Sequence, residues 1–194
     1  MGVCPQFDAL NEYLTGREHL RLFARIRGVP GKESAELVEA ALDQLELRPH
    51  KRKVSAALSG GMKRKLCCAI AIIGDPECVL LDEPSAGLDP VARRNLWNVL
   101  GTTMTSRGVV LTSHLMDEVT VLCDRISIMT KGTMRCLGTA QHLVSRYGAH
   151  YTLTLTHTLA ADSAKLDEFV SSTFRAKSSL DSVMQNRRTY LIDR

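Results

Sequence analysis

Residues 78–84, Cys-Val-Leu-Leu-Asp-Glu-Pro, constrain the fold more than any other stretch of this 194-residue chain, because an apolar run of four residues stops abruptly at two acids and a proline. A short apolar run with no polar alternation reads as a strand buried on both faces, as in a parallel sheet, and such sheets hold their ligands beyond the carboxyl ends of their strands. Gly108 to Ser113 repeats the pattern as a second buried strand and closes on His114. Between the two, Asp89-Pro90 opens a helix that continues to about Ser106, with Asp as the cap and Pro in the first turn. Asp117 to Cys123 predicts a short helix, Arg125 to Met129 a third strand, Thr133 to Leu137 a returning strand after the Lys131-Gly132 turn, and Thr139 to Tyr147 a helix. Strands alternating with helices predict an α/β fold around a parallel sheet.

The first half of the chain is helical instead. Gly2 to Gln6 reads as the end of a strand running into a loop, and Thr15-Gly16-Arg17-Glu18 is a capping-box pattern that opens a helix to about Arg27. Leu37, Val38, Ala41, Leu42 and Leu45 recur at helical spacing, and a third helix runs from Ser59-Gly60-Gly61 to the Gly74-Asp75-Pro76 turn. After Gly148 the strict alternation of Tyr151 to Thr156 predicts a half-buried antiparallel strand, followed by a helix at 163–174 and strands at 179–184 and 188–193. A boundary near Gly148 therefore separates a small α+β segment.

Charge and hydropathy exclude several classes. A formal charge of +4 is too mild to argue for nucleic acid, and the longest apolar run, Leu66 to Ile73, falls far short of the roughly 18–20 residues that span a bilayer. Residues 1–20 lack the basic start and apolar centre of a secretory signal, so the chain reads as cytosolic. Six cysteines form no CxxC pair, and four lie in apolar stretches as small buried hydrophobes.

The candidate chemistry gathers around the two acids. Asp82 is placed to hold Mg2+ and Glu83 to orient an attacking water in phosphoryl transfer. Ser59-Gly60-Gly61 opens a helix whose free N–H groups and dipole favour an anion, with glycines that allow close approach. His114 ends a strand and can donate to a phosphate oxygen, while Gln6 follows Pro5 in a loop and can position water or a metal-bound oxygen. Each also fits a plainer role taken singly: a helix cap, a structural histidine, a polar loop residue, a strand-to-loop junction.

In this order and spacing the segments resemble the nucleotide-binding domains of ABC transporters, the ATP-binding cassette family. Val3 to Asp8 resembles the Q-loop, Leu58 to Met62 the signature loop, Val79 to Glu83 the Walker B strand, Ser85 to Asp89 the D-loop and His114 the H-loop switch. CPQFDAL, LTGREHL, SGGMKRKL, DEPSAGLDP, LTSHLMDE and RCLGTAQHL resemble the A subfamily, whose members are associated with lipid translocation and carry a small regulatory domain after the cassette. The resemblance implies a partial P-loop NTPase fold over residues 1–148, a helical signature subdomain plus the remainder of a parallel sheet, and the start of an α+β regulatory domain over residues 149–194. It implies ATP and Mg2+ as cofactors, Asp82 and Gln6 at the metal, Glu83 as general base and His114 at the γ-phosphate. Ser59, Gly60 and Gly61 would bind ATP held by a second cassette in a head-to-tail pair, with Asp89 at that interface. The implied partners are that cassette and transmembrane domains, on the cytoplasmic face of a membrane.

The resemblance stops at the phosphate loop. No GxxxxGK[ST] sequence is present: Gly31-Lys32 is followed by Glu33 and has Ile26 where the first glycine belongs, so it is rejected as a P-loop. The expectation is therefore a chain that hydrolyses no ATP alone, with Met1 an internal methionine of a longer transporter. The strands at Cys78, Gly108 and Arg125 are then expected to expose apolar surface. Met62 stands where many signature loops carry Gln or Asn, and Lys63-Arg64-Lys65 reads as a solvated helix face. Two other readings remain at this point: a non-catalytic module that lends its signature loop in trans, or a decaying gene fragment; and a soluble ABC ATPase of translation or DNA repair, which the charge and the subfamily texture disfavour.

Overall fold

The structure, a computed structural model, describes residues 1–148, 150–156, 163–174, 178–184 and 187–193. The chain opens with β1 (Gly2–Cys4) and three helices, α1 (Gly16–Ile26), α2 (Gly31–Gln44) and α3 (Gly60–Ile72), before β2 (Cys78–Asp82), α4 (Pro90–Thr103), β3 (Gly108–Thr112) and α5 (Met116–Leu122). Then come β4 (Ile126–Thr130), β5 (Thr133–Gly138), α6 (Ala140–Tyr147), β6 (His150–Thr156), α7 (Ser163–Phe174), β7 (Ser178–Met184) and β8 (Arg187–Asp193). Packing divides the chain into two compact units, Met1–Ile126 and Ser127–Arg194. The break expected near Gly148 falls inside the second unit, after α6, and Ala149 and Arg194 lie outside the described residues.

Local chemistry sets the helix starts of the first unit. Thr15 and Glu18 form the reciprocal capping box: the Glu18 N–H donates to Thr15 Oγ1 at 3.3 Å and the Thr15 N–H to Glu18 Oε2 at 2.8 Å. The bond from the Thr15 backbone holds the Glu18 carboxyl below its ordinary range. The second helix starts earlier than its apolar repeat, at Gly31 after Pro30, so the Gly31-Lys32 pair rejected as a phosphate loop is the first turn of α2.

α3 is the axis of this unit. It packs against β1, β2 and α1, and every residue from Arg64 to Ile72 is buried. The expectation of a solvated basic face at 63–65 is thus corrected for Arg64 and Lys65, which are 3% and 8% exposed. A helix enclosed on several sides has no water-facing stripe to spare in its middle turns. Close packing also explains Gly2, where a Cβ would stand 1.9 Å from the Ala71 carbonyl oxygen.

The sheet is parallel in the order β1-β2-β3, with Cys4 opposite Leu81, Leu81 opposite Leu111 and Asp82 opposite Thr112. Val79 and Leu81 of the central strand are buried in a core that includes Leu20, Leu42, Leu66 and Leu96. β3, whose apolar run reads as a buried strand, is an outer strand whose Val110 is 58% exposed, the apolar exposure expected where a neighbouring strand is missing. Among the described residues no strand pairs with its far edge. β4 differs too: it was expected within the α/β sheet but pairs with β5 in a separate two-stranded sheet. The connecting turn has Lys131 and Gly132 both in the left-handed region, at φ 50° and 74°, the geometry that joins adjacent strands as a hairpin. Ile128 and Met129 of β4 are exposed, the apolar exposure expected for these strands.

In the second unit β6, β8 and β7 form an antiparallel sheet in that order, and α7 packs on β7. Val170 of α7 and Tyr190 and Ile192 of β8 are buried, while Tyr190 donates to Asp167 Oδ1 at 2.7 Å.

Candidate functional site

The carboxyl ends of β2 and β3 bring three of the sequence-predicted residues together. Register sets Asp82 opposite Thr112, and the Thr112 hydroxyl donates to Asp82 Oδ1. One residue further, the Glu83 N–H donates to the Thr112 carbonyl at 3.0 Å. Glu83 sits at φ 50°, a left-handed conformation that a non-glycine residue keeps only when its surroundings fix it. The turn directs its side chain toward His114, whose Nδ1 lies 2.8 Å from Glu83 Oε2. A carboxylate only accepts, so the ring N–H is the donor. The Glu83 side chain is 19% exposed and that of His114 is 71% exposed, which leaves the dyad open on the histidine side.

Gln6 lies just beyond β1, and its backbone is tied to this end of the sheet. The Arg64 guanidinium donates to the Gln6 carbonyl at 3.1 Å and to the carbonyls of Asp82 and Glu83. Asp82, Glu83, His114 and the Gln6 backbone thus form one cluster.

Ser59, Gly61 and Asp89 belong to a second place. Ser59 caps α3, its hydroxyl accepting from the Met62 N–H at 3.3 Å. Asp89 caps α4, and the Ala92 N–H on its carboxylate, with that of Val91, holds it below the usual carboxylate range. Ser59, Gly61, Met62, Lys65 and Asp89 line a cavity of about 350 Å3 together with residues of the 46–50 turn. Lys65 reaches across to Glu46 at 2.9 Å. Gly61 lies 3.3 Å, measured from an added Cβ, from a Leu88 methyl, whereas a Cβ on Gly60 would meet open space. An unobstructed helix N-terminus with a glycine at its mouth is chemically suited to an anionic oxygen.

Sequence reasoning missed two residues. Thr112 could have been found from its place next to Ser113-His114 on a strand parallel to the acid-bearing one. Arg64 carried no signal, because its position in a run of three basic residues is the pattern of a water-facing turn.

The chain is also similar to known proteins. Residues 1–86 match the model of the ABC transporter family. The chain carries ABC transporter ATP-binding-cassette sequence. It is 54% identical over 156 residues to ATP-binding cassette sub-family A member 7 of Rattus norvegicus, which covers 80% of this chain and 7% of the relative. It is 53% identical to the retinal-specific phospholipid-transporting ATPase ABCA4 of Homo sapiens over the same shares, and 49% identical to the phospholipid-transporting ATPase ABCA7 of Homo sapiens over 90% of this chain and 8% of the relative. The chain thus spans less than a tenth of the length of these curated relatives. The solved structure of an ATP-binding subunit of an ABC transporter superposes with a TM-score of 0.69 at 28% identity, covering 76% of this chain and 62% of that one. The α/β fold around a parallel sheet is that of the ABC ATPases, and the family implies a nucleotide ligand.

The residues present fit such a ligand with a hard cation. Asp82 offers carboxylate oxygen, with a threonine hydroxyl beside it, which is the donor chemistry of Mg2+. Among the described residues no three His, Cys, Asp or Glu side chains converge as a metal cage. A cation held here would therefore share its shell with phosphate or water oxygens, as Mg2+ does at phosphate sites.

Proposed function

We propose that this chain is part of the ATP-hydrolysing cassette of an A-subfamily ABC transporter, coupling ATP binding and hydrolysis to transport of a phospholipid across a membrane. The observation that carries the reading is the His114–Glu83 hydrogen bond of 2.8 Å beside Asp82 at the end of β2. Two relatives are named as phospholipid-transporting, which supports the class of cargo. In this reading residues 1–148 are a nucleotide-binding domain and residues 149–194 begin a regulatory domain. The cassette works at the cytoplasmic face of the membrane, with transmembrane domains and a second cassette as partners.

The chain's own residues divide the work. Glu83 accepts the proton of the attacking water, and His114 holds that carboxylate in place through Nδ1–H; a ring carrying a proton on both nitrogens also donates from Nε2 to the γ-phosphate. Asp82, oriented by Thr112, and Gln6 supply oxygen to Mg2+, which when bound neutralises charge on the phosphate oxygens. Ser59, Gly60 and Gly61 receive the γ-phosphate of the nucleotide held by the other cassette, and Asp89 lies at the interface. Because no GxxxxGK[ST] sequence occurs in the 194 residues, the isolated chain is expected to hydrolyse no ATP.

The test is hydrolysis by the full-length protein in phospholipid vesicles. Glu83→Gln is expected to lower kcat by about 10²- to 10⁴-fold with ATP binding retained. A variant that turns over at the wild-type rate overturns the assignment. Stimulation of a separate cassette by the added chain, insensitive to Glu83, would assign it instead as a module that lends its signature loop.

A further inference from the structure

Arg64 is 3% exposed, and its five N–H groups meet five backbone carbonyls. Nε donates to Pro84 at 3.3 Å, Nη1 to Pro5 at 2.6 Å and Gln6 at 3.1 Å, and Nη2 to Asp82 and, at 2.9 Å, to Glu83. A guanidinium has five donors and no acceptor, so its whole capacity is used. Burying this charge is tolerated because every donor is satisfied.

The choice of acceptors is what points to function. All five belong to two segments, the 5–6 loop and residues 82–84 from the last residue of β2 onward, at the ends of neighbouring parallel strands. Those loops carry Gln6, Asp82 and Glu83. Among the described residues no carboxylate is ion-paired with Arg64, so its position is set by these backbone groups. One of the carbonyls belongs to Glu83, the residue at φ 50°, whose N–H is held from the other side by Thr112. Arg64 also stands in the second turn of the helix that Ser59 caps. Lys65, its neighbour, pairs instead with Glu46.

We propose that Arg64 is a positioning residue that ties the helix opened by Ser59 to both the Gln6 loop and the Asp82-Glu83 loop. The placement of the base and the water-positioning glutamine then follows the position of α3. Arg64 touches no reacting atom; it acts through the backbone of Gln6 and Glu83. The inference rests on the ATPase reading for its consequence in turnover, though not for its effect on the two loops.

Two readouts on the full-length protein test it. Arg64→Lys keeps the charge but offers only three donors from one point, and it cannot span both loops. It is expected to speed amide hydrogen exchange at Glu83 and Ala86, whose N–H groups are bonded to the Thr112 and Glu83 carbonyls, by about tenfold or more, with exchange across α1 and α2 unchanged. In the same protein kcat falls by about tenfold or more while the KM for ATP changes less than about threefold, and more Mg2+ is needed for half-maximal rate. Leu42→Ala, which removes packing from α2, is the control for lowered Tm and is expected to leave the Mg2+ requirement as in the wild type. Wild-type exchange at Glu83 and Ala86 in Arg64→Lys overturns the proposal, as does a Leu42→Ala control that shifts the Mg2+ requirement equally. A wild-type protein that hydrolyses no ATP defeats the ATPase reading instead, and the exchange measurement still decides the role of Arg64.

Discussion

The acid cluster at the ends of β2 and β3 and the cavity at the start of α3 are built in opposite ways. At the acid cluster almost every group is cross-bonded: Thr112 to Asp82, His114 to Glu83, Thr112 again to the Glu83 backbone, and Arg64 to both loops. At the signature side Ser59 and Asp89 are caps, turned inward to N–H groups of their own helices, Lys65 pairs with Glu46, and the space over Gly60 is open. One region is a set of side chains held by one another. The other presents an open helix N-terminus. Under the proposed function, the first would have its chemistry set by this chain's packing and the second would be completed by another cassette.

Truncating the strand behind the acids attacks the first region through its packing. Leu81 is 2% exposed on β2, and Leu81→Ala is expected to cost about 2–5 kcal/mol in urea unfolding, the range for a buried leucine. A cost near zero would mean that the acid cluster does not depend on this core. The second region should respond in the opposite sense. Because an added side chain at Gly60 meets open space, Gly60→Asp is expected to leave Tm almost unchanged while lowering ATP turnover of the full-length protein by about 10²-fold, through a carboxylate set against an anion site. If Gly60→Asp unfolds the protein instead, the opening is structural and the contrast fails.

The smallest effect concerns Asp89. Its carboxyl is held below the ordinary value by the Ala92 N–H, so the charged form stabilises the fold above the unfolded carboxylate range and that stabilisation is lost as pH falls through the folded value. Asp89→Asn keeps the cap without the titration. The wild type is therefore expected to lose stability relative to Asp89→Asn on acidification from about pH 5 to about pH 3, read by thermal unfolding at a series of pH values. Parallel curves would show that the cap does not depend on charge.

What the sequence made legible follows the same division. The caps at Thr15, Ser59 and Asp89 could be read because donor and acceptor lie within three residues of each other, and the acid-ended strand because burial on both faces removes alternation. The pairing of Glu83 with His114 was foreseen only as two roles in one site; the contact itself depends on the β2-β3 register. Arg64 was misread because its acceptors are 18 to 20 and 58 to 59 positions away, beyond any local pattern. The β4-β5 hairpin was legible in the Lys131-Gly132 turn, whereas its separation from the parallel sheet was set by which strands stand side by side, which periodicity does not encode.

Amide hydrogen exchange at Gly60 to Met62 tests the split most directly. With Mg2+ and ATP added to the 194-residue chain alone, no protection should develop at these amides, and it should develop when a complete cassette bearing Glu83→Gln, which holds ATP without turning it over, is supplied as partner. Protection of Gly60 to Met62 by Mg2+ and ATP in the chain by itself would contradict the account, because the anion site would then be filled without the second chain.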